Sequence, residues 1–315
     1  MDIVIDGKPF TSYIYPGGAL KKPTLNPLRT ARGNIVTRGY PLDPRKGEPR
    51  DHPHHVGFWF NCGDVNGLDF WNNSDAIAAA QAPKYDTIVH KRIVEAKGGA
   101  NQGDLAVEAE WVTSDGTRLL KEETRFIFRG DANMRSIERI TTLTALTERV
   151  VFNDNKEGVI GLRVARGLQQ PAAKPEIVTD ADGNPTKEPV LDNTGVSGSY
   201  LSSEGLKGDA VWGTRARWTT LSGTVDAEPV TLALLDHPSN PGYPTYRHAR
   251  GYGLFAANPL GQKALSSGKE PEFKLALEPG KSTTFRYRLL IMSGTATADV
   301  AEREFKAFAA TTGSR

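Results

Sequence analysis

Short runs in which apolar residues alternate with polar ones, each closed by turn residues, leave this chain few choices of architecture. In Thr283 to Ile291, Phe285, Tyr287, Leu289 and Ile291 face one way while Arg286 and Arg288 face the other, as in a strand with one side on a core. Strand-like runs of this kind are read at Ile88 to Val94, Leu105 to Val112, Leu119 to Phe128, Arg135 to Thr142, Val150 to Asn153, Val159 to Val164 and Val230 to Leu235. Asp115-Gly116, Gly130-Asp131 and Pro279-Gly280 supply turns between runs, with no helical spacer of the length a parallel sheet needs. The pattern predicts an all-β chain, antiparallel sheets packed as a sandwich, in a single domain over residues 1–315. One short helix is expected near the C-terminus, where Ala301, Phe305 and Phe308 share a face. Residues 169–197 are polar and turn-rich and read as an excursion loop, the kind of segment that serves as a lid or binding loop.

Charge narrows the choice of partners. Thirty-nine basic residues against 37 acidic ones give a net charge of +2, with the basic residues spread along the chain, so nucleic acid is not expected as a partner. Cys62 is the only cysteine, which excludes an internal disulfide, a zinc ribbon and a CxxC redox centre. No window approaches a membrane span, and the opening Met1 to Gly7 has no basic and apolar leader pattern. The expected location is periplasmic or secreted if a signal peptide has been removed, and cytoplasmic otherwise.

Histidine placement points to chemistry. Asp51-His52-Pro53 runs into His54-His55, and an identical tripeptide, Asp236-His237-Pro238, is followed by His248, so five of the six histidines fall in two segments. Imidazole exchanges protons near neutrality and ligates metals, which makes these segments candidates for one cleft. If a strand starts near His54, then His55, Gly57 and Trp59 share one face, and the missing side chain of Gly57 leaves room for a flat ligand. Asp64 and Asp69 flank the Asn66-Gly67 hairpin signal and read first as turn residues, and as acids or oxygen ligands second. Asp154 and Glu157, beside Lys156, would supply an acid and a base, or be solvated turn charges. The loop from Asp236 to Gly253, stiffened by prolines, carries Tyr246, His248, Arg250 and Tyr252. Gly251-x-Gly253 is half a dinucleotide fingerprint, but Asn258-Pro259 stands where its helix would run, so no nucleotide cofactor is expected.

The blocks Asn26 to Thr30, Asp51 to Gly57, Gly63 to Trp71, and Asp236-His237-Pro238 through Asn258-Pro259-Leu260-Gly261 together resemble the bacterial PmoA-like family of unknown function, often labelled methane oxygenase. The label does not suit this chain, because the methane monooxygenase subunit behind it is a membrane protein. What the resemblance implies is a sandwich similar to the galactose-mutarotase and glycoside-hydrolase supersandwiches, a role in carbohydrate breakdown, frequent export, and a functional link to sugar dehydrogenases. An aromatic residue is expected before His248, where this chain has Arg247.

The leading expectation is a carbohydrate-active enzyme that cleaves a glycosidic bond, by hydrolysis or by elimination from an oxidised sugar. In that reading His54 or His55 and His237 exchange protons, with Asp154 or Glu157 as base or ligand. His52, Trp59, Asp64, Asn66, Trp71, Tyr246, His248, Arg250 and Tyr252 would contact the sugar. A divalent metal held by His54, His55, His237 and Glu157 is left open. Two alternatives stand beside it: a sugar epimerase or mutarotase, and a non-catalytic carbohydrate-binding module with Trp59, Trp71 and Tyr252 as a stacking strip. A pocket with convergent His and carboxylate groups favours catalysis; a flat aromatic strip favours binding.

Overall fold

The computed structural model describes residues 1–15, 17 and 20–311. Its strands, in chain order, are β1 (Asp2–Ile5), β2 (Lys8–Ile14), β3 (Thr24–Leu25), β4 (Phe58–Cys62), β5 (Thr87–Lys97), β6 (Gly103–Val112), β7 (Arg118–Gly130), β8 (Met134–Ala145), β9 (Val150–Phe152), β10 (Gly158–Arg163), β11 (Ser199–Ser202), β12 (Trp218–Val225), β13 (Glu228–Asp236), β14 (Tyr246–Arg250), β15 (Leu254–Asn258), β16 (Leu275–Leu277) and β17 (Ser282–Ser293). Two helices complete the fold, α1 (Gln262–Leu265) and α2 (Ala298–Ala309). Each of the eight runs read as strands from the sequence lies on a strand here. The expected hairpin is also present: Val65 bridges Leu68 across Asn66 and Gly67, both at positive φ, as a tight primed turn requires.

The strands form an eight-stranded antiparallel sheet, in the order β11-β12-β13-β17-β8-β7-β6-β5, and a seven-stranded sheet, in the order β1-β2-β3-β4-β10-β15-β14. Strand alternation decides what each face meets. Phe285, Tyr287, Leu289 and Ile291 of β17, and Leu232 and Leu234 of β13, enter one core together with Phe58 and Phe60 of β4, Ile160 and Leu162 of β10 and Phe255 of β15. This shared core packs one sheet against the other, so the fold is the antiparallel sandwich that the period-two pattern predicts.

The intervening residues point outward on either side. On the eight-stranded sheet, Ala233, Leu235, Leu290 and Met292 form a second cluster with Ala301, Phe305 and Phe308 of α2, so the expected C-terminal helix docks on that outer face. On the seven-stranded sheet, Trp59, Leu254 and Ala256 form a third cluster with Trp71 and Tyr252. Gly161 makes this possible, because a Cβ there would stand 2.5 Å from the Trp59 indole; the bare backbone of β10 lets the ring lie across it. The outer face of the seven-stranded sheet is where a cavity opens.

No strand lies between residues 169 and 198, in agreement with the excursion loop expected there. The segment is tied down nonetheless. Thr179 N donates to Glu48 O (2.9 Å), Arg50 Nη1 donates to Gly183 O (2.8 Å), and Glu176 and Val190 exchange two backbone hydrogen bonds. It reads as an ordered wall, with its start folded over the sheet.

Candidate active site

Asp51 organises the first wall. Arg38 Nη1 (2.7 Å) and Arg163 Nη2 (2.5 Å) both donate to its Oδ1, and His52 Nδ1 donates to its Oδ2. Burial pushes the Asp51 carboxyl upward, but the His52 hydrogen bond and the charges of Arg163 and Arg38 outweigh it and hold the group well below the usual carboxylate range. An ionised Asp51 fixes the proton of His52 on Nδ1 and leaves Nε2 as the ring's open position. His52 itself sits at φ 43, a left-handed conformation that costs on the order of 1–3 kcal/mol for a residue other than glycine. The surrounding contacts hold it there.

Rings are layered behind this pair. His52 lies flat between Tyr252 (centroids 5.1 Å apart, planes at 7°) and His55 (4.8 Å, 2°), and His55 in turn stacks on Trp59 (5.1 Å, 16°). The Arg163 guanidinium covers Tyr252 at 4.6 Å and donates to His55 Nδ1 at 3.3 Å. Burial, followed by the nearby imidazole and guanidinium groups, keeps His55 neutral. Burial above all raises the Tyr252 hydroxyl to about 12, so it keeps its proton.

The second wall comes from β14 and the turn before β10. His248 pairs with Ala256 across β14 and β15, which places its ring on the outer face. Its Nδ1 donates to Lys156 O (3.1 Å), so the neutral ring offers Nε2 as an acceptor. Burial, and then the charges of Arg250 and Lys156, push its pKa down to about 3. Glu157 Oε2 lies 3.9 Å from the same Nδ1, and Glu157 Oε1 meets Lys156 Nζ at 2.9 Å. Gln169 to Glu176 of the excursion loop, together with Asp209 and Trp212, close the remaining sides of a cavity of about 670 Å³. The loop contributes Glu176, whose carboxyl is raised by burial and by the charge of Asp51.

Of the residues singled out in the sequence, His52, His55, Glu157, His248, Arg250 and Tyr252 line this cavity. His55 does so with an edge only, at 1% exposure. The others stand elsewhere. His237 packs on Phe308 of α2, and its nitrogens are occupied by Ser239 Oγ, Ser239 N, Thr311 O and Arg286. It therefore belongs to the outer side of the opposite sheet and exchanges no proton with His55. Asp154 accepts from the backbone N–H groups of Lys263, Ala264 and Phe273, which makes it an anchor for α1. Asp64 accepts from Gly67 N and Asn153 Nδ2, and the Asn66 side chain donates through Nδ2 to Arg149 O and accepts through Oδ1 from Val151 N; both hold the hairpin. Trp59 and Trp71 are 0% exposed, so no flat aromatic strip exists for a sugar ring. Gly57 leaves no ligand gap either, since a Cβ there would meet Leu25 O at 2.3 Å. Tyr246 lies beneath the Arg215 guanidinium, at 4.5 Å, outside the cavity. His54 is turned away from the cavity, toward Lys22 and Val56. The four proposed metal ligands are accordingly not gathered, and no group of three or more His, Cys, Asp or Glu suited to a metal occurs among the described residues.

The family described as "Family of unknown function (DUF6807)" matches residues 1–306. The chain belongs to that family. The match carries the neutral DUF6807 description and not the PmoA-like one. No curated protein matches the chain. Among solved structures it is similar to a galactose mutarotase related enzyme from Lactobacillus acidophilus (10% identity, TM-score 0.36, covering 94% of this chain and 98% of that one). It is also similar to a putative aldose 1-epimerase from Escherichia coli K12 (12%, 0.33, 91% and 99%), and to heparan sulfate lyase HepC from Pedobacter heparinus (9%, 0.29, 93% and 39%). These likenesses are loose in shape and slight in sequence. No helix among the described residues of this DUF6807 chain is long and apolar enough to cross a membrane.

Several groups at the site escape sequence reasoning. Arg38 and Arg163 are fully buried, where a charged residue is least expected, and only the fold brings both to Asp51. Gln170, Lys174 and Glu176 lie in the segment already marked as a binding loop. Asp209 and Trp212, at the 3-10 turn Gly208–Val211, carry no local motif that would have marked them.

Proposed function

We propose that this protein is a carbohydrate-active enzyme that cleaves a glycosidic bond by histidine and carboxylate acid–base chemistry in this cavity. The observation that supports the reading is the convergence of the Asp51–His52 pair, neutral His248 and Glu157 on one hollow. Its volume falls within the range of small-molecule sites. His248, with Nε2 open, is the base: it takes a proton from the attacking water in hydrolysis, or from an activated carbon in elimination. Glu157 beside it stabilises the imidazolium that results. Tyr252, which retains its proton, faces the same space and donates to the departing oxygen, while His52, oriented by Asp51, offers Nε2 to a sugar hydroxyl. A sugar-sized ligand is favoured because the walls offer many hydrogen-bonding groups, among them Gln169, Gln170, Lys174 and Arg250.

Epimerisation or mutarotation needs the same acid and base without a leaving group, and the supply of imidazoles in place of a plain carboxylate pair suits it equally. Two assays separate the readings. Oligosaccharides are incubated with the protein and followed for new reducing ends or unsaturated products, and free aldoses are followed by polarimetry. Whichever activity is found, His248→Gln and His52→Gln are expected to lower it by about 10²- to 10⁴-fold each. Full turnover in both variants would reject the assignment.

A further inference from the structure

Arg250 differs from every other arginine that covers an aromatic ring. Its guanidinium lies 4.3 Å from the centroid of the Trp212 ring and, among the described residues, has no hydrogen-bond acceptor and no ion-pair partner. Elsewhere such a stack is always accompanied by an oxygen. Arg38 and Arg163 donate to Asp51, Arg139 to Glu122, and Arg286 and Arg288 to Glu138, while the remaining stacked guanidiniums meet carbonyls or a carboxylate. A guanidinium has all five N–H donors in its plane, and the Trp212 ring occupies only one face. The donor edge of Arg250 is left to the cavity that it lines.

The surroundings favour an anion there. Arg250 stands two residues from His248 on the same face of β14. Two of the three carboxylates that line the cavity are already engaged, Glu157 with Lys156 Nζ (2.9 Å) and Asp209 with Gln170 Nε2 (2.7 Å); the third, Glu176, is raised by burial and by the charge of Asp51, which is itself held by two buried arginines. Trp212 adds a second donor without an acceptor, its buried indole Nε1. A planar fork of donors beside a neutral base matches a carboxylate carried on the sugar.

Resting on the carbohydrate reading above, we propose that the cavity takes an acidic sugar of the uronic-acid type and that Arg250 is the residue that selects its carboxylate. The test is calorimetric titration of the full chain with glucuronate and galacturonate, against glucose, galactose and glucose 6-phosphate. The uronates should bind on the order of tenfold tighter than the neutral sugars, the scale of one bidentate charge-assisted contact. Arg250→Gln should abolish that preference, and Arg250→Lys, which keeps the charge but not the fork, should restore part of it. Thermal melting verifies that each variant is folded. Equal binding of uronates and neutral sugars, a preference that survives in Arg250→Gln, or tighter binding of the phosphate would overturn the inference while leaving the carbohydrate reading intact. Absence of binding by every sugar would sink both.

Discussion

Replacing Asp51 by Asn removes one charge from a site where two fully buried guanidiniums depend on it. Arg38 and Arg163 have side chains 0% exposed, and both donate to Asp51 Oδ1, at 2.7 and 2.5 Å. Breaking a buried pair by deleting one partner costs roughly 3–5 kcal/mol. The Asp51 side chain is 34% exposed, and solvent screening reduces the expected loss to about 2–3 kcal/mol. Urea denaturation at pH 7 measures it directly. The pH dependence gives a second readout. Because the folded-state pKa of Asp51 lies below its unfolded value of about 3.9, its stabilisation is complete above that pH and is lost as pH falls further, when the unfolded chain gains a proton that the folded one refuses. Asp51→Asn should lack this acid-side loss. Nitrogen-15 NMR of His52 should show the proton fixed on Nδ1 in the parent and redistributed in the variant. A variant within about 0.5 kcal/mol of the parent, with its His52 tautomer unchanged, would refute the view that Asp51 organises the site.

Phe308→Ala should cost about 3–5 kcal/mol by emptying the contact between α2 and the eight-stranded sheet, read from a lowered denaturation midpoint; an unchanged midpoint would mean that the helix is not docked. Gly161→Ala places a methyl 2.5 Å from the rigid Trp59 indole and should destabilise by about 1–3 kcal/mol, with a shift in tryptophan fluorescence. His248, pushed down to about 3, stays neutral in the folded chain while the unfolded chain protonates below about 6.5. Its contribution is therefore present above that pH and declines as pH falls toward the folded value, so His248→Gln should flatten the stability profile across that window. His237→Ala should weaken the packing of α2 and leave sugar turnover at the parent level; a collapse of turnover in a folded His237→Ala protein would contradict its placement.

Much of the scaffold can be read in the chain because alternation is a local property. The eight runs identified by period two are strands, and the face shared by Ala301, Phe305 and Phe308 is the face that docks. β14 escaped because its sequence breaks the rule: Arg247 points into the core, where its guanidinium donates to Ala216 O and Leu234 O. The site was legible in part. The strand expected from His54 begins only at Phe58, so His55 meets Trp59 by folding its turn over the ring and not by strand alternation, whereas the segment that starts at Gln169 does wall the cavity. What local pattern could not supply is which of two identical tripeptides lies over which sheet. Asp51-His52-Pro53 opens onto the outer face of the seven-stranded sheet, and Asp236-His237-Pro238 turns beneath α2. Nor could it show that Trp59 is covered by His55, since burial depends on what another segment lays on top.

The excursion loop is fastened to the turn around Glu48 and Arg50 at its middle, while its opening residues, Gln169 to Glu176, form a side of the cavity. The proton-handling groups His52, Glu157 and His248 come from other segments. Part of the cavity wall is thereby separable from the imidazoles, so in the proposed carbohydrate reading changes between residues 170 and 176 alter the fit of the ligand, while Arg250 stays on β14 beside His248.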